Sequence, residues 1–109
     1  MLRKDNLELQ RKIKIIFSKT DDMRFISHLD LLRLFQRASR RARLPVSLTQ
    51  GFNPHLKISI TRALKLGVAS QGEEAIFYID EPVKPGSFME SINSKLPSGV
   101  KVVSAEEIA

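Results

Sequence analysis

Between residues 12 and 19 the chain alternates, with Ile13, Ile15 and Phe17 on one side and Lys12, Lys14 and Ile16 on the other. A period of two predicts a half-buried strand. "TDDMR" (20–24) reads as a turn. From residue 28 to 43 the period changes to that of a helix, and Leu31, Leu34, Phe35, Ala38 and Ala42 form one buried stripe. Ser27 and Asp30 have the S-x-x-D form of a capping box, with Ile26 and Leu31 at the positions of a hydrophobic staple. Pro45 disfavours helical geometry just before it, which predicts a stop near Leu44. "VSLTQ" (46–50) predicts an extra short edge strand, turned by "GFNPH" into "LKISI". There Leu56, Ile58 and Ile60 face in while His55, Lys57, Ser59 and Thr61 face out. A connection over 62–74, with Gly67 and Gly72, leads to the strand "AIFYID" (75–80), whose inner residues are Ala75, Phe77 and Ile79. Ser87 and Glu90 form a second capping-box pattern and open a short helix with Phe88, Ile92 and Leu96 inward. Pro97 and Gly99 end it, and "VKVVSA" (100–105) is the last strand.

That order is β-α-β-β-α-β, the pattern of an α+β, ferredoxin-like fold: an antiparallel sheet with two helices on one face. Residues 1–11 lack a period and predict a flexible or helical N-terminal arm; residues 12–109 predict a single ferredoxin-like domain. With the helices on the inner side, the other side of the sheet is open. It would display Lys12, Lys14, Ile16, His55, Lys57, Ser59, Ile76, Tyr78, Lys101 and Val103.

Composition narrows the function classes. The chain has 109 residues and no cysteine, which excludes disulfides, thiolate metal sites, iron–sulfur ligation and a cysteine nucleophile. No apolar run approaches the roughly 20 residues of a membrane span, and "MLRKDNLELQ" lacks the apolar core of a secretory signal. The expected location is cytoplasmic. There is no GxGxxG, no GxxxxGK[ST], no pair of carboxylates at useful spacing and no His/Asp/Glu cluster, so neither a cofactor nor a metal is expected. The net charge is +6, unevenly spread: residues 11–65 hold 13 Lys/Arg against 3 Asp/Glu, and residues 66–109 hold 3 against 7. A field concentrated in this way favours a polyanionic partner. A soluble protein with one solvated basic helix would show the same count.

The first helix carries Arg33, Arg37, Arg40, Arg41 and Arg43. Arg33, Arg37 and Arg40 fall at i, i+4 and i+7, opposite the apolar stripe. Arginines present planar, bidentate donors to phosphates; a solvated helix face with Arg33 paired to Asp30 is the plainer reading. In the loop, Gln50 and Asn53 can each donate and accept, His55 and Lys57 follow, and Phe52 either stacks or anchors the loop in the core. His28, in the first helical turn, is the one catalytic candidate. Beside arginines it would be the base of metal-free RNA cleavage, and a packing or hydrogen-bonding role competes with that.

"FSK" (17–19), "RFISHLDL" (24–31), "QGFNP" (50–54) and "KIS" (57–59), with the glycines at 67 and 72 and Glu73, resemble the radical-SAM-linked family of unknown function. The resemblance covers about residues 12–105 and looks like the N-terminal half of a longer protein. It implies a radical SAM protein as partner and RNA- and ribosome-related neighbours, without supplying a reaction. The residues and the resemblance together lead to the expectation of an accessory RNA-binding domain working with a radical SAM protein, in RNA modification or processing. The RNA would be held by Arg33, Arg37, Arg40, Arg41, Gln50, Asn53, His55 and Lys57. The alternatives are a module docking on that partner without RNA contact, and a metal-free endoribonuclease.

Overall fold

The computed structural model describes residues 10–61 and 70–108. The expected arm lies almost wholly outside them, as does the part of the predicted connection that contains Gly67. Strand β1 (Arg11–Lys19) leads through a 3-10 turn (Asp21–Phe25) into helix α1 (His28–Arg41). Strands β2 (Ile58–Ile60) and β3 (Ser70–Ile79), helix α2 (Pro85–Asn93) and strand β4 (Val100–Ile108) follow. The sheet order is β2-β3-β1-β4, every neighbour antiparallel. This is the ferredoxin-like arrangement that the period changes predict.

Both helices lie on one face because the alternation in the strands demands it. Ile13, Ile15, Phe17, Ala75, Phe77 and Ile79 all point inward and are buried with Leu31, Phe35 and Ala38 of α1 and Phe88 and Ile92 of α2. Four rings form one edge-to-face chain across the layers: Phe17–Phe35 at 5.0 Å, Phe35–Phe77 at 5.6 Å and Phe77–Phe88 at 5.1 Å between centroids. Such pairs contribute about 0.5–1.5 kcal/mol each beyond the area they bury. Ile58 and Ile60, expected inside, are only half-buried, because β2 is a three-residue strand at the sheet edge.

Helix boundaries depart from the sequence reading for identifiable reasons. At the start of α1, Ser27 Oγ accepts the Asp30 N–H at 3.0 Å, while the Asp30 carboxylate pairs with Arg33 at 3.5 Å. The end comes at Arg41, earlier than Pro45 requires. Leu44 N–H donates to Ser39 O and Arg43 N–H to Arg40 O, both at 3.0 Å. These two bonds are a Schellman closure, and they place Arg43 at φ 56°, where glycine is usual. The second capping box does not form. Helix α2 starts at Pro85 after Lys84, with no side-chain cap, because proline's fixed φ already suits the first helical position.

Two strands are longer than their local patterns. Strand β3 begins at Ser70 rather than residue 75, since its extra length pairs with β1 as far as Lys19↔Ser70. Strand β4 runs on to Ile108 rather than residue 105, paired along β1 to Lys12. The expected edge strand over 46–50 is reduced to two single bridges, Val46↔Ile79 and Leu48↔Leu56. Gly99, at φ 98°, turns the chain into β4 where a Cβ would meet Met23 Cγ at 2.8 Å and Thr20 O at 2.9 Å. Asn93 closes the other side of that turn: its amide donates to Val102 O and accepts from Val102 N–H, both at 2.9 Å. A side chain thereby satisfies backbone groups on an edge strand that would otherwise invite pairing.

Candidate functional site

The segment 46–57 folds as a small hairpin against the end of β3. Ser47 N–H donates to Tyr78 O, Lys57 N–H to Ser47 O and Tyr78 N–H to Lys57 O. Beneath it, the Ser47 hydroxyl donates to Asp80 Oδ1 at 2.6 Å and accepts from Gln10 Nε2 at 3.2 Å. Gln36 of α1 donates to Leu56 O at 3.4 Å, holding the hairpin beside the middle of that helix.

Above this base the tip is braced from within. Thr49 N–H donates to His55 O at 2.8 Å, and His55 N–H donates to Thr49 Oγ1 at 3.1 Å. His55 Nδ1 lies 3.2 Å from Asn53 O. A carbonyl only accepts, so Nδ1 carries the proton in that contact and Nε2 is left as an acceptor when the ring is neutral. Gln50, Asn53 and His55 are all exposed, and Gly51, at φ 122°, makes the turn. The Phe52 ring is fully exposed. Of its two expected roles, anchoring in the core is therefore excluded. Burying such a side chain is worth about 1.5–3 kcal/mol, and this fold leaves that undrawn at the tip of a well-braced turn.

On the open face of the sheet, Lys12, Tyr78 and Lys57 form one row across β1, β3 and the approach to β2. Lys57 Nζ stands 4.3 Å and Lys12 Nζ 5.9 Å from the Tyr78 ring centroid, within reach of a cation–π contact. One row further, Lys14 pairs with Glu106 at 3.2 Å; near the sheet end Arg11 pairs with Glu107 at 2.8 Å. The acidic second half of the chain thus folds back onto two of the basic residues of β1. The expected open face is accordingly less basic than its lysine count suggests. Of its cations without an acidic partner among the described residues, Lys12 and Lys57 flank Tyr78, while Lys101 stands opposite Ser18 at the other end of β1. His55, expected on this face, belongs instead to the hairpin tip.

The arginine stripe lies on the helix layer, on the other side of the sheet. Arg33, Arg37, Arg40 and Arg41 are exposed, and of these only Arg33 has an acidic partner among the described residues. The expected RNA contacts therefore divide into three places: Lys57 on the open face, Gln50, Asn53 and His55 at the hairpin tip, and the arginines behind. Proximity along the sequence did not reveal that division. His28 is exposed at the start of α1, two turns of helix before Gln36, so the two imidazoles do not share a site. Among the described residues no three His, Asp or Glu side chains group as metal ligands, and no helix is long and apolar enough to cross a membrane.

A family model matches residues 12–109, nearly the whole chain. The chain belongs to a family of uncharacterized proteins conserved in bacteria (DUF2344). No curated protein matches it. Within this family member, reading by element missed Lys95, in the turn after α2, which shares a cleft with Arg37 and Arg41. A basic residue just past a helix gives no signal until the fold sets another helix beside it.

Proposed function

We propose that the domain binds RNA as an accessory to a radical SAM protein, with the open sheet face and the hairpin tip as the contact. The observation that carries this reading is the Lys12–Tyr78–Lys57 row: one aromatic ring flanked by two ammonium groups that, among the described residues, have no acidic partner, on a sheet face that no described helix covers. Tyr78 is half-buried, and a base can stack on the accessible part of such a ring while flexible lysines shift to the flanking phosphates. Phe52 offers a second stacking ring at the adjoining hairpin tip, and Gln50 and Asn53 supply donors and acceptors suited to base edges. The radical SAM partner rests on the resemblance of "RFISHLDL" and "QGFNP", and such a domain would present RNA for that partner's chemistry.

Fluorescence anisotropy with single-stranded and hairpin RNAs across a salt series tests the reading. Affinity should fall with salt at about 0.7–0.9 log units per phosphate contacted. Tyr78→Ala and Phe52→Ala should each weaken binding by about 1–3 kcal/mol. Absence of binding at low salt would abandon the RNA reading.

A second reading has its own support. Ile16, Ile76 and Ile108 lie half-buried and Val103 exposed on or beside the open face, and a docked protein would cover them. If RNA does not bind, co-purification with the radical SAM protein, lost in Ile16→Asp/Ile76→Asp, would establish docking in its place.

A further inference from the structure

A cleft of about 370 Å³ lies between α1 and the turn that follows α2, lined by Leu34, Arg37, Ala38 and Arg41 on one side and Ser94 to Pro97 on the other. Its ionisable lining residues are Arg37, Arg41 and Lys95, all cations. None of the three is in an ion pair among the described residues. Arg37 and Arg41 sit one helical turn apart, where like charges repel. The C-terminal end of α1 favours Arg40 and Arg41 through the helix dipole. That accounts for neither Arg37 nor the placing of Lys95 opposite them.

The carbonyl end of α2 also faces this region and would repel an anion if its oxygens were open. They are engaged: Ser94 N–H donates to Glu90 O at 3.1 Å, Lys95 N–H to Ile92 O at 3.0 Å, and Ser94 Oγ to Ser91 O at 2.6 Å. The Schellman closure at Arg43 fixes the last turn of α1, and with it the backbone of Arg41. Leu34, Ala38, Leu96 and Pro97 give the cleft an apolar part.

We infer that this cleft binds a phosphomonoester, with Arg37, Arg41 and Lys95 around the dianionic phosphate and the apolar residues against the group that carries it. Two guanidinium forks and an ammonium suit three terminal phosphate oxygens better than the single charge of a phosphodiester. The volume is that of a small-ligand site. The 5′-phosphate of an RNA and a free phosphorylated metabolite share this chemistry. The inference does not depend on RNA binding at the sheet face, which lies on the opposite side of the sheet.

The test is NMR titration of the full chain with inorganic phosphate, and separately with one oligoribonucleotide bearing either a 5′-phosphate or a 5′-hydroxyl. Phosphate should produce saturable shifts at Arg37, Arg41, Ser94 and Lys95. Arg37→Gln/Arg41→Gln and, independently, Lys95→Gln should weaken that binding by about tenfold or more. Arg33→Gln should leave it unchanged, because Arg33 is engaged with Asp30. Lys95 lies in a turn, so its variant stands if the double change disturbs α1. Tighter binding of the 5′-phosphorylated oligonucleotide identifies an RNA end as the source. Equal binding of the two, with phosphate still saturating the cleft, identifies a free phosphomonoester. No saturable phosphate shift, or shifts that persist in both variants, overturns the inference. Lys12→Gln/Lys57→Gln should leave the phosphate shifts intact, which separates this result from failure of the sheet-face reading.

Discussion

The two faces of the sheet are built from alternate residues of the same strands, and they use aromatic rings for opposite purposes. On the covered face Phe17 and Phe77 are sealed against Phe35 and Phe88, ring edge to ring face, with no exposure at all. On the open face Tyr78, one position from Phe77, lies among lysines. Edge-to-face stacking in a dry core gives stability and a single arrangement. A ring held between ammonium groups at a wet surface contributes little to folding and remains available to a partner. The difference shows that an aromatic residue says little about its use until its side of the sheet is known.

The largest effect should come from breaking the covered face at its centre. Phe35 touches both Phe17 and Phe77, so Phe35→Ala should destabilise the domain by about 3–5 kcal/mol. A urea melt unchanged from wild type would show that the ring chain is not the core.

A smaller, pH-dependent effect belongs to Lys19, which is fully buried at the end of β1. Burial lowers its pKa below the ordinary 10.5, opposed in part by the charge of Glu73. The unfolded chain therefore binds more protons between the lowered value and 10.5. Across that window stability should rise as pH rises; below it the cost of the buried charge stays constant. Urea melts from neutral pH up to about 10.5 should show this rise in wild type and lose it in Lys19→Met. Parallel curves for the two proteins would refute the assignment.

Ser39 sharpens the same contrast from the inside. Its hydroxyl is buried and has no hydrogen-bond partner among the described residues, so Ser39→Ala should stabilise by about 0.5–1 kcal/mol through helix propensity and removal of an unpaired polar atom. A loss of stability in thermal melts would mean that the hydroxyl packs usefully. The smallest folding effect should come from the open face. Lys12→Gln/Lys57→Gln should change stability by less than about 0.5 kcal/mol, while the salt slope of RNA binding falls by about 1.4–1.8 units. A large loss of stability would make these lysines structural, and an unchanged slope would move RNA off this face.

Much of the fold was legible because it depends on short-range pattern. The alternation Ile13–Ile15–Phe17 and the helical spacing Leu31–Phe35–Ala38 each require one burial direction. Together with the order of elements, they leave few ways to share a core. The second helix start was misread because Ser87 and Glu90 imitate a cap, while Pro85 needs none. The site was less legible. Gln50, Asn53 and His55 stood out as loop chemistry, and all three are exposed. Nothing local separated Lys57 from the arginines behind the sheet, or joined Lys95 to Arg37.

By itself the sequence determined the element order, the buried face of each strand and of α1, and the excess of positive charge in the first part of the chain. These follow from side-chain period and ionisation, which neighbours along the chain already specify. The tertiary structure alone decided that Glu106 would neutralise Lys14, that Asn93 would close the β4 edge, and that Tyr78 would stand between Lys12 and Lys57. It also decided that three cations from two elements would line one cleft. Each of these depends on strand register or on the distance between elements far apart in the chain, and both are set by packing of the whole domain.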